Sequence, residues 1–64
     1  MKRYDPNHYV VEIHLGMDVL SNDYGNDQGC ADRAIERLKT RQFDELRIWH
    51  MGRCVRSVNR LAEY

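Results

Sequence analysis

The side chains of this chain with the widest chemical scope are Cys30, Cys54, His8, His14, His50 and Trp49. A cysteine nucleophile needs a base beside it or a lowered pKa. Cys30, near the start of a predicted helix, has a dipole that would favour its thiolate. A cysteine on a helix or strand of so small a domain is nevertheless more often a compact packing residue. The histidines and cysteines show neither a Cys-x-x-Cys pair nor a ligand-type histidine spacing, so no metal is expected. Asp18, Asn22, Asp23, Asn26 and Asp27 have the composition of a calcium loop, but they miss the EF-hand spacing and its closing glutamate. Gly16, Gly25, Gly29 and Gly52 are too scattered for a phosphate-binding loop. A chain of 64 residues also leaves little room for a small-molecule pocket of ~300 Å³ or more. The expectation is a protein that is not an enzyme and carries no cofactor.

Charge is the next feature that could do work. Formal net charge is zero, but Lys2 and Arg3 in residues 1–32 stand against Asp5, Glu12, Asp18, Asp23, Asp27 and Asp32. In residues 33–64 the balance reverses, with Arg33, Arg37, Lys39, Arg41, Arg47, Arg53, Arg56 and Arg60 against Glu36, Asp44, Glu45 and Glu63. Nearly all these cations are arginines, whose planar fork suits carboxylates and phosphates. Zero net charge argues against a dedicated nucleic-acid binder.

The elements that must position these groups follow from periodicity. Alternation of Tyr9, Val11, Ile13 and Leu15 with His8, Glu12 and His14 predicts a half-buried strand over His8–Leu15. Gly16 ends it, and after the short apolar piece Met17-Asp18-Val19-Leu20 the stretch Ser21–Asp27 reads as a loop, dense in residues that favour turns. Asp27 is a predicted N-cap for a helix over about Gly29–Gln42, whose stripe is Ala31, Ala34, Ile35 and Leu38. Leu46–His50 and Cys54–Val58 read as a β-hairpin. Either two-residue turn, Met51-Gly52 or Gly52-Arg53, puts Leu46 and Ile48 on the same face as Val55. The spacing of Val58, Leu61 and Ala62 leaves the last residues open between strand and helix.

The resulting fold class is α+β, a single small domain spanning 1–64. Its order is β-α-β-β, with a three-stranded, mostly antiparallel sheet covered on one face by one helix. A thin core is all such a length allows. The start lacks the apolar stretch of a secretory signal, no run approaches a membrane span, and two cysteines fall short of a disulfide framework. A cytoplasmic protein with reduced thiols is expected.

One helix leaves one sheet face uncovered. That face is expected to carry His8, Val10, Glu12, His14, Arg47, Trp49, Cys54, Arg56 and Val58, with Trp49 as the centre of an interface or as a staple packed on Val10 and the arginine stems. Arg47 and Arg56 would lie together there, needing Glu12, Glu45 or an external anion for relief. Arg33, Arg37 and Arg41 would form a row on the helix, either solvated or binding. The expected function is a protein-binding module, a regulator or inhibitor that occludes a surface of a larger host complex, as small proteins of phages and mobile elements do. The expected partner-binding residues are Trp49, Arg47, Arg56, Val58, Val10, His14, Arg60, Arg33, Arg37 and Arg41. Two alternatives remain: nucleic-acid binding through Arg47, Arg56, Arg60 and Trp49, and a homodimer formed through the open sheet faces.

Overall fold

The computed structural model describes residues 5–60. Five elements follow in the order β1 (Val10–Leu15), β2 (Asp18–Asp23), α1 (Gln28–Leu38), β3 (Glu45–His50) and β4 (Arg53–Asn59). All strand pairs are antiparallel, in the spatial order β2-β1-β3-β4. The α+β class therefore holds, but the sheet has four strands rather than three and the order is ββαββ rather than β-α-β-β.

The additional strand is β2, which joins the short apolar piece after Gly16 to Ser21–Asp23, the start of the stretch expected to be a loop. Gly16, with φ +60°, opens a two-residue turn that sets Leu15 opposite Asp18. Glycine in first position suits a type II′ hairpin turn, whose twist matches that of the flanking strands. β2 then pairs with β1 from Leu15↔Asp18 to Val10↔Asp23 without a register shift. Every residue of β2 is exposed, so no face selects apolar residues and the period-two signal is absent. Asn22 and Asp23 are poor strand formers held by pairing, a case of tertiary context overriding propensity.

Helix α1 starts where the capping argument places it. The Asp27 carboxylate accepts from the backbone N–H of Gly29 at 2.9 Å and of Cys30 at 3.3 Å, the latter shared with the Asp27 carbonyl at 3.2 Å, so donors of the first turn are satisfied by the cap. The helix ends at Leu38, earlier than expected. Lys39, Thr40 and Arg41 turn away, and Arg60 donates to the freed carbonyls of Lys39 at 2.9 Å and Arg41 at 3.0 Å. Arg41 therefore lies beyond the helix, and the expected row of Arg33, Arg37 and Arg41 along α1 does not form.

The core lies between α1 and the face of β1 and β3 that carries Val11, Leu46 and Ile48, each fully buried with Ala31 and Ile35. Phe43, in the connection from α1 to β3, completes it, and the Arg60 guanidinium stacks 4.1 Å above its ring.

The β3–β4 turn is Met51-Gly52, one of the two anticipated. Both residues have positive φ, 56° and 73°, as a type I′ turn requires. The register beyond it departs from expectation. Trp49 pairs with Cys54 but Ile48 pairs with Arg56, so Val55 is the extra residue of a β-bulge. One inserted residue reverses the faces of all that follow. Val55, expected in the core, is 45% exposed. Arg56 and Val58, expected on the open face, stand on the helix side instead, where Val58 packs against the core. The undecided segment 61–64 lies outside the described residues. Among the described residues, no helix is long and apolar enough to cross a membrane.

Candidate functional site

On the open face, alternation along β1 and β3 places Val10, Glu12 and His14 beside Trp49, Arg47 and Glu45, in the register Val10↔Trp49, Glu12↔Arg47 and His14↔Glu45. Trp49 is half-buried and its indole N–H donates to Glu12 Oε1 at 2.8 Å. The same oxygen lies 3.0 Å from His14 Nε2. Val10, opposite Trp49 in the register and lining the same recess as Pro6 and His8, is only 2% exposed. Arg47 Nε meets Glu45 at 2.8 Å, and Ser57 donates to the same carboxylate oxygen at 3.0 Å. This contact holds the Glu45 carboxyl below its ordinary pKa and raises that of Arg47. The open face thus carries two groups of polar contacts, one joining Trp49, Glu12 and His14 and one joining Arg47, Glu45 and Ser57.

The remaining arginines are dispersed. Arg56 reaches α1, meeting Glu36 at 2.9 Å and Asp32 at 3.1 Å. It lowers the pKa of Glu36, with help from Lys39, while Glu36 foremost raises that of Arg56. Arg60 is held at the helix end. Arg33 and Arg37 are exposed on α1, where the Arg33 guanidinium approaches Cys30 Sγ at 3.3 Å. Arg47, Arg56, Arg60 and Trp49 therefore do not share a surface, and the like-charge proximity expected of Arg47 and Arg56 is removed by the bulge. Val58 packs inward.

The thiols are similarly engaged. Cys30 Sγ donates to Asp27 Oδ2 at 3.3 Å, and that contact is the first cause of the lowered Asp27 pKa. Cys54 Sγ donates to the Arg56 carbonyl at 3.4 Å. Among the described residues, no group of three or more His, Cys, Asp and Glu side chains is placed to hold a metal ion.

A second region was not anticipated. Helix α1 lies over β1 and β3 and leaves the β1–β2 hairpin projecting beyond its cover. Leu15 is 38% exposed, Met17 100%, Val19 52% and Leu20 64%. Behind them a groove of about 360 Å³ runs between the hairpin and the end of α1, floored by Ile13, Leu38, Phe43 and Leu46. Leu15 and Leu20 form its outer wall, with Asp18, Arg41 and Gln42 at its margin. It is larger than a chain of this length was expected to form. The signal for the hairpin was present in Leu15-Gly16-Met17-Asp18, an apolar run followed by a two-residue Gly-x turn.

Fold and surface together define a small four-stranded antiparallel α+β domain with one polar face and one exposed apolar hairpin. No protein-family model, no curated protein and no solved structure matches the chain.

Proposed function

We propose that this chain is a protein-binding module, a regulator or inhibitor that occludes a surface of a larger host complex, of the kind phages and mobile elements encode. The observation that supports this reading is the β1–β2 hairpin. Leu15, Met17, Val19 and Leu20 are grouped on one projecting element above an apolar groove. Leu15 and Leu20 stand on the α1 side and Val19 on the other, beside His14; exposed apolar side chains concentrated on one projecting element of a small domain suit an interaction site. Nucleic-acid binding is less well supported, because Arg47 and Arg56 are neutralised by carboxylates of the chain itself and Arg60 caps α1.

The test is capture from a lysate of the encoding organism or its host, with wild type, Leu20→Lys and Trp49→Ala compared after circular dichroism shows each is folded. The expected result is a protein retained by wild type and Trp49→Ala in high salt and after nuclease treatment, and lost by Leu20→Lys. Equal retention by all three, or capture abolished by nuclease, overturns the reading.

A further inference from the structure

The two outer strands of the sheet each leave a row of main-chain groups facing away from the sheet, and at β2 the direction of that row can be worked out. Tyr24 N–H donates to the Tyr9 carbonyl at 2.9 Å, and the register runs on as Val10↔Asp23 and Val11↔Asn22. Antiparallel ladders alternate, so Asn22, Leu20 and Asp18 turn their backbone groups toward β1. Val19, Ser21 and Asp23 turn theirs outward. The Asp44 N–H bond to the His14 carbonyl, on the other side of β1, has the phase this alternation demands.

We infer that β2 receives an extended segment of a partner protein as a fifth strand, an apolar stretch with Lys or Arg at both ends. This mode rests on the protein-binding reading above and specifies how that binding is made. Strand addition takes affinity from main-chain hydrogen bonds and specificity from alternate side-chain sites. The side facing α1 offers Leu20 and the groove behind it for an apolar side chain.

Charge selects the ends of the occupant. Asp18 and Asp23 mark the two ends of β2; Asp23 also meets His8 at 2.9 Å and accepts from the Gly25 N–H at 2.7 Å, so Asp18 is the less engaged of the two. Residues 5–27 hold Asp5, Glu12, Asp18, Asp23 and Asp27 and no Lys or Arg. Opposite charges across a strand pair are stabilising and like charges are not. A second copy of this chain fits less well, because it brings an equally acidic hairpin to the edge. Centred on Ser21, self-pairing also sets Val19 of one copy opposite Asp23 of the other.

The test is selection from a displayed library of randomised heptapeptides on the full chain. The expected binders have an apolar centre flanked by Lys or Arg, bind Leu20→Lys poorly, and lose affinity several-fold on Asp18→Lys. N-methylation of such a peptide at alternate residues separates backbone pairing from side-chain contact. Each methyl in one phase should cost about threefold to tenfold, the equivalent of a lost hydrogen bond, and in the other phase little. Ser21→Pro, which removes one outward donor, should weaken binding to a similar degree. On wild type, amide exchange at Val19, Ser21 and Asp23 should slow when peptide binds, a readout that stands even if Ser21→Pro fails to fold.

The inference is overturned if no peptide prefers wild type over Leu20→Lys, or if binders ignore the methylation phase and leave those three amides unprotected. It is overturned in favour of a second copy if sedimentation shows a dimer that Ser21→Pro abolishes. Should any of these occur while Leu20→Lys still abolishes lysate capture, protein binding stands and only strand addition falls. If capture is also indifferent to Leu20→Lys, both fall.

Discussion

The two edges of the sheet are built in opposite ways. β4 is interrupted by the Cys54–Val55 bulge, carries Arg53 and Arg56, and is tied to α1 by the Arg56 contacts to Asp32 and Glu36. β2 pairs with β1 in unbroken register, exposes all of its residues and has neither a cation nor a proline. Natural sheets guard their edges with bulges, basic residues and covering elements because an open edge invites pairing. Here one edge has these protections and the other has apolar side chains and terminal carboxylates. The difference shows that edge protection was within reach of this sequence, and it directs attention to β2.

The largest effect should separate the core strand from the open edge. Leu46 on β3 is fully buried, so Leu46→Ala is expected to cost about 2–5 kcal/mol, enough in a domain this small to abolish cooperative urea unfolding. Leu20→Ala on β2 removes an exposed side chain and should change stability by no more than about 0.5 kcal/mol. A comparable loss at both would mean that β2 is part of the core, and the contrast between edges would fail.

A smaller effect probes what ties down β4. Arg56→Ala removes an ion-pair pair that is about one-third exposed on the arginine side, and solvent screening limits its contribution to about 1 kcal/mol or less. Asp18→Ala, at the β2 edge, should be neutral by the same urea measurement. Equal effects would show that the Arg56 contacts do not secure β4.

The smallest effect is a pH dependence confined to β2. His8 Nδ1 lies 2.9 Å from Asp23, and that hydrogen bond raises the His8 pKa above 6.5 and lowers that of Asp23 below 3.8. A raised histidine pKa contributes stability fully below 6.5, and the contribution is lost as pH rises through the folded value. A lowered carboxylate pKa contributes above 3.8, and the contribution is lost as pH falls through its folded value. The His8–Asp23 contact should therefore be strongest between those limits and loosen toward pH 8. On the other edge Glu36, lowered foremost by Arg56, changes only in acid. Amide exchange near Asp23 should thus quicken from pH 6 to 8, beyond its intrinsic base dependence, while that of β4 follows the intrinsic rate alone. His8→Asn should remove the excess.

Much of the fold was legible because burial imprints periodicity. Val11, Ile13, Leu46 and Ile48 alternate since one face is buried, and Ala31, Ala34 and Ile35 recur at helical spacing for the same reason. β2 was illegible because neither of its faces is covered, so nothing forces Val19 and Leu20 into a pattern. The bulge was illegible because inserting Val55 requires no unusual residue, and it moves Arg56 and Val58 across the sheet. Only the carboxylates at Asp32 and Glu36, one helical turn apart on α1, hint that an arginine is expected there. Alternation alone puts Trp49, Arg47, Val10, Glu12 and His14 on one open face, and the β1–β3 register places them there. What sequence could not show is that Glu12 and Glu45 already answer the indole and Arg47.

The strand order β2-β1-β3-β4 has a further consequence, for the route by which the chain folds. β1 with β2 and β3 with β4 are local hairpins, each closed by a two-residue turn, and such units form within about 1–10 μs. Among the described residues, the only strand pairing between residues distant in sequence is the β1–β3 seam, from Val10↔Trp49 to His14↔Glu45. Closing that seam bears the loop entropy of the helix and its connections. Folding thus reduces to docking two preformed hairpins along one line, with α1 sealing the join.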